Sequence, residues 1–83
     1  MYCIAVFRSR TQVLEFIDGM RRNGIACSAV NTPSEAHVGC GISAKFSVPY
    51  LKKAEDLIFR NMPHSFRGIY LIDRSVGQIR KIR

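Results

Sequence analysis

"ISAKFSVPYLKKAEDLIFRN", residues 42–61, changes its hydrophobic period part-way along. Ile42, Ala44, Phe46 and Val48 alternate with Ser43, Lys45 and Ser47, the period-two pattern of a strand with one buried face. Pro49 suits the first turn of a helix. Leu51, Ala54 and Ile58, with Leu57 beside them, then recur at helical spacing as far as Asn61, where Met62-Pro63 ends the run. A strand leading into an amphipathic helix must bury both apolar faces against something, so the fold depends on what the flanking chain supplies.

Both flanks supply strands. "GIYLID", residues 68–73, follows the helix, and "YCIAVFR", residues 2–8, opens the chain as an almost continuous apolar run of strand length. Ser9 and Gln12 stand at capping-box spacing, and Val13, Ile17 and Met20 recur at helical intervals, with Leu14 and Phe16 widening the face. Asn23-Gly24 closes this first helix, because glycine enters the left-handed region without steric cost. A strand is expected over residues 25–30. Pro33 breaks it, since proline cannot donate to a ladder and holds Thr32 extended. The order βαββαβ predicts an α+β, ferredoxin-like two-layer sandwich, an antiparallel sheet with two helices on one face. Residues 1–73 make the single domain, and "RSVGQIRKIR", residues 74–83, reads as a basic C-terminal tail with too little apolar periodicity to place.

Composition narrows the classes. With 83 residues, 47% hydrophobic and 23% charged, the chain is one small folding unit and not a disordered one. No window approaches the roughly 18 apolar residues that span a bilayer, and the N-terminus lacks a signal-peptide pattern, so a cytoplasmic location without a membrane partner is expected. The net charge is +7, but Arg74, Arg80, Lys81 and Arg83 concentrate much of it at one end, and charge alone does not choose between a nucleic acid and an acidic protein. Three cysteines without a Cys-x-x-Cys spacing indicate neither a disulfide framework nor a zinc ribbon. His37 and Cys40 are two ligands where structural zinc takes four, so no metal or other cofactor is expected.

The three thiols are not equivalent. Cys3 and Cys27 fall in apolar strands, where cysteine behaves as a small hydrophobe. Cys40 sits between Gly39 and Gly41, in the loop joining the second and third strands. Glycines there let backbone N–H groups approach, and such donors stabilise a thiolate. His37 would lie beside Cys40 in a helical turn, Glu35 could orient His37, and the Thr32 hydroxyl could reach the sulfur across the loop. On the plainer reading, His37 and Glu35 are solvated loop residues and the glycines only turn the chain.

The order β-α-Gly-β, then Thr-Pro, then Cys-Gly entering an alternating strand, resembles a small family described as selenium/sulfur carrier-like. The likeness covers nearly the whole chain. It rests on "GIACSAVNTP" and "GCGISAKF", above all on Thr32-Pro33 and Cys40-Gly41. Members commonly carry Arg-Glu after the Thr-Pro and Ser or Cys before the Cys-Gly, where this chain has Ser34-Glu35 and Gly39. The resemblance implies a carrier of sulfur or selenium without enzymatic turnover of its own. Cys40 would bear the persulfide or selenopersulfide, with Thr32, Pro33, Glu35, His37, Gly39 and Gly41 around it. The implied partner is a cysteine desulfurase or another sulfur or selenium transfer protein, and a homodimer is compatible with that role.

Two other classes compete. A regulatory or protein-interaction module would use the open sheet face, which Tyr2, Phe7 or Tyr70 could make apolar, although strand parity does not say which of them point there. An RNA-binding module is disfavoured, because the aromatic motif of that class belongs on the third strand with two aromatics facing out, whereas "RGIYLID" is the last strand and holds Tyr70 alone. No Ser/His/Asp order or glycine-rich nucleotide loop supports a hydrolase.

Overall fold

The computed structural model describes residues 1–36 and 40–83. The element order is β1 (Tyr2–Phe7), α1 (Arg10–Arg22), β2 (Ser28–Asn31), β3 (Ile42–Phe46), a 3-10 turn (Val48–Tyr50), α2 (Leu51–Asn61), β4 (Phe66–Asp73) and β5 (Gln78–Lys81). The strands form one antiparallel sheet in the order β2-β3-β1-β4-β5. Its first four members have the ferredoxin-like arrangement, and both helices contribute to the main core on one face of the sheet.

Strand β1 lies at the centre and is buried on both sides. Cys3, Ala5 and Phe7 face the helices with Val13, Phe16, Ile17, Met20, Ala54, Leu57 and Ile58. Phe7 stacks at 5.5 Å from Phe16 and 5.6 Å from Phe66. On the other face Ile4 and Val6 are buried with Ala36 and Ile72, bordered by Tyr2, Val30, Tyr70 and Ile79. The parity left open by sequence is thereby fixed: Phe7 belongs to the helix side, Tyr2 and Tyr70 to the opposite face.

The helix ends follow their sequence signals. Ser9 caps α1, its Oγ accepting the Gln12 N–H at 3.2 Å. At the other end Gly24 takes φ +75, with Gly24 N–H bonded to the Arg21 carbonyl and Ile25 N–H to that of Met20. That pair of bonds is a Schellman closure.

It also explains why β2 begins at Ser28 and not at Ile25. The Ile25 N–H is committed to the helix cap, and the Cys27 carbonyl already accepts from Arg21 Nε at 2.9 Å, so both groups have partners outside the ladder. Strand β4 starts at Phe66, two residues before the expected Gly68, because a bulge opposite Val6 and Phe7 absorbs Arg67.

The largest difference is at the C-terminal end. Within residues 74–83, read from sequence as a tail, Gln78–Lys81 forms β5 on β4, with Ile79 opposite Ile72 and Lys81 opposite Tyr70. An Asx turn makes the hairpin: Asp73 Oδ1 accepts from Ser75 N–H at 3.1 Å and from Ser75 Oγ at 2.6 Å, and Gly77 takes φ +66. The Ser75 hydroxyl bond holds the Asp73 carboxyl below its ordinary range. Apolar residues at Val76, Ile79 and Ile82 alone carry no clear period, so the strand depends on a partner already in place.

Candidate functional site

The loop from Thr32 to Gly41 is closed at its base by the β2–β3 ladder, which continues beyond Asn31 and Ile42 through a 2.9 Å bond from Thr32 N–H to the Gly41 carbonyl. Thr32 Oγ1 lies 2.6 Å from Ser43 Oγ, a fully buried hydroxyl. The expectation that this threonine serves the Cys40 sulfur is therefore corrected. Its hydroxyl satisfies a buried polar group that would otherwise lose its hydration without return.

Pro33 begins a turn in which the Ala36 N–H donates to the Pro33 carbonyl at 3.0 Å. The turn brings Ala36 into the buried cluster with Ile4, Val6 and Ile72 on the open face of the sheet. Glu35 is exposed and accepts from Ser34 Oγ at 3.3 Å. His37 and Gly39 lie outside the described residues, and so does the expected His37–Cys40 turn with Glu35 behind it.

Cys40 re-enters at the end of β1. Its N–H donates to the Phe7 carbonyl at 3.1 Å, its Sγ donates to the Ile42 carbonyl at 3.5 Å, and the side chain leans on the rim of the main core. The Cys40 amide therefore ties the loop to the central strand. Gly41 takes φ +100 with open space where a Cβ would stand, so its requirement is conformational and not steric.

Solvent access separates the thiols. Cys40 is half-buried, whereas Cys3 is 0% and Cys27 5% exposed. Burial raises the Cys3 thiol above its ordinary value, and it pushes Cys27 up to about 11 against smaller opposing effects of Arg21 and the Ser28 amide. Both are held as neutral thiols. Cys40 also shares its end of the molecule with exposed Arg8 and Arg10, and the first turn of α1 there contains no acidic residue.

With that geometry in place, comparison with known families gives a match. The model of the family described as "Putative Se/S carrier protein-like" covers residues 2–71. The chain belongs to this family. The matched span takes in both halves of the loop motif, Thr32-Pro33 and Cys40-Gly41, and ends before β5. Comparisons with curated proteins and with solved structures give no match.

Sequence reasoning raised the open sheet face as a binding surface but left open which residues point to it. Tyr2, Lys45 and Arg74 meet there, with Lys45 Nζ 4.4 Å and the Arg74 guanidinium carbon 6.0 Å from the centre of the Tyr2 ring. The parity of Tyr2, Ile4 and Val6 was the available signal, but a strand buried on both sides hides it.

Proposed function

We propose that this member of the Se/S carrier-like family carries sulfur or selenium on Cys40. One observation supports the choice above the rest: all three thiols lie within the span matched to the family, and of the three Cys40 alone is not buried. In the loading step the Cys40 thiolate attacks the outer sulfur of a donor persulfide. A new S–S bond forms at Cys40, the donor's S–S bond breaks, and its electron pair leaves on the donor cysteine thiolate. No external oxidant is required, since the transferred atom keeps its oxidation state.

Retention of the cargo requires that no second thiol reach the persulfide. Cys3 and Cys27 are sealed in the core and are free of disulfides. The donor in this reading is a cysteine desulfurase or another sulfur or selenium transfer protein, in a reducing cytoplasmic setting. Intact-mass spectrometry after incubation with a desulfurase and cysteine tests it. One reductant-labile sulfur should be added to the native chain and none to Cys40→Ser, whereas an adduct that persists in Cys40→Ser would overturn the assignment.

A further inference from the structure

On the open sheet face Ala36 of the loop is buried with Ile4, Val6 and Ile72, while Tyr2 and Tyr70 at the border of that cluster are half-buried and keep contact with solvent among the described residues. Tyr2 stands opposite Ile72 and Ile4 opposite Tyr70, so the two tyrosines are diagonal neighbours on adjacent strands. Diagonal positions of this kind lie about 7–8 Å apart, close enough for two bases of one strand to use both rings. Ile72 and Ile79 form an apolar floor between Tyr2 and Pro33 in a groove of about 400 Å³.

Cations surround these rings. Lys45 and Arg74 sit over Tyr2, and Arg74 Nε also donates to its hydroxyl at 3.4 Å. Lys81 lies opposite Tyr70, and its stem crosses Gly68, where an added Cβ would come within 2.7 Å of the lysine Cε. Asp73 also lines this groove, with its carboxylate engaged by Ser75. Aromatic rings on a flat sheet with flexible cations at their edges are the chemical complement of bases joined by phosphates, and the net charge of +7 has the matching sign. Of the two objections from sequence, the register answers the lone aromatic by supplying Tyr2 from β1; the strand position still differs from that of the RNA-binding class, so the surface stands on its own geometry.

We propose that the part of the sheet face around Tyr2 and Tyr70 binds single-stranded nucleic acid, with the two tyrosines stacking bases and Lys45, Arg74 and Lys81 contacting phosphates. The Lys45 ammonium over the Tyr2 ring can exchange that contact for a stronger one with a phosphate, and a base then takes the vacated face. The surface is separate from the Cys40 thiol and does not depend on the carrier reading. An acidic protein would find the same positive charge but would gain little from paired aromatic faces.

Fluorescence anisotropy with the full 83-residue chain tests this, using labelled RNA and DNA single strands, their duplexes and a polyglutamate competitor. Single strands should bind more tightly than duplexes, and the tighter of RNA and DNA identifies the sugar. Tyr2→Ala with Tyr70→Ala should weaken binding at least about thirtyfold, while the paired Phe variants, which keep the rings, should retain it. Lys45→Ala and Lys81→Ala should each flatten the salt dependence. Cys40→Ser should bind as the native chain does. Circular dichroism and melting of each variant guard against misfolding. Equal binding of duplex and strand, indifference to the tyrosine pair, or preferential displacement by polyglutamate would each overturn the proposal.

Discussion

Thr32 Oγ1 and Ser43 Oγ, 2.6 Å apart, join the start of the cysteine loop to the first part of β3. The bond is worth most because Ser43 has no access to water. Removing one partner strands the other, whereas removing both leaves an apolar contact. Thr32→Val should lower stability by about 1–3 kcal/mol. Adding Ser43→Ala should recover part of that loss, read as denaturant midpoints. Simple additivity of the two changes would show that the hydroxyls do not act as a pair.

The C-terminal hairpin should be required for full stability. Ile82 packs against the main core, the Ile69 carbonyl accepts from both Ile82 and Arg83 N–H, and Arg83 pairs with Glu55 on α2. Deleting residues 78–83 should lower the melting temperature by about 4 °C or more, the shift that roughly 1 kcal/mol produces in a domain this small. From sequence alone these residues read as a basic tail with no element placed in it. An unchanged melting temperature would return β5 to that status.

Local rules read well here and non-local ones did not. Gly24 and Ser9 signal caps with their own neighbours, and both caps are formed. Gln12 stands at the spacing for a reciprocal cap, yet its side chain turns to Ser65, accepting from the N–H at 3.0 Å and from the hydroxyl, and meets His64 at 3.2 Å. That partner is 53 residues away, beyond any spacing rule. The same limit hid β5, whose register exists only once β4 is folded. The accessibility of the Cys40 thiol was legible because glycine on either side is a local mark. The engagement of Thr32 with Ser43 required the register of two strands.

Central packing on the loop side should be sensitive. Ile4 is 1% exposed and meets Ala36 beneath the Thr-Pro turn. Ile4→Ala should cost about 2–5 kcal/mol, combining lost burial with a cavity. Native-state hydrogen exchange should also show faster exchange at Ala36 N–H, because its bond to Pro33 rests on that contact. Undiminished protection at Ala36 would mean that the turn holds without the sheet beneath it.

The Cys27 proton should register in the pH dependence of stability. Its pKa is about 11 in the fold against an ordinary value of 9.0. Below pH 9 both folded and unfolded chains hold the proton, and the group contributes no slope. Between pH 9 and about 11 the unfolded chain releases it while the fold retains it, so stability falls as pH rises through that window. Urea melts across the window should show a shallower decline for Cys27→Ala. Equal slopes would mean that the buried thiol does not titrate differently on folding. Cys3 shifts in the same direction and would leave a remainder in the variant.

Alkylation should order the three thiols. Iodoacetamide reacts with thiolate that it can reach, and burial removes both conditions at Cys3 and Cys27: their side chains are within the core and their proton affinities are raised. Cys40 has access from solvent, and its Sγ has only a 3.5 Å contact with the Ile42 carbonyl to give up. Limiting reagent at neutral pH should therefore modify the Cys40 peptide first. The other two should react only with added denaturant, at a rate that follows unfolding. Gly41→Ala, which strains a backbone held at φ +100, should disturb this ordering more than it disturbs the melting temperature, because the loop lies at the edge of the fold. Equal labelling of all three cysteines under native conditions would refute the distinction on which the carrier reading rests.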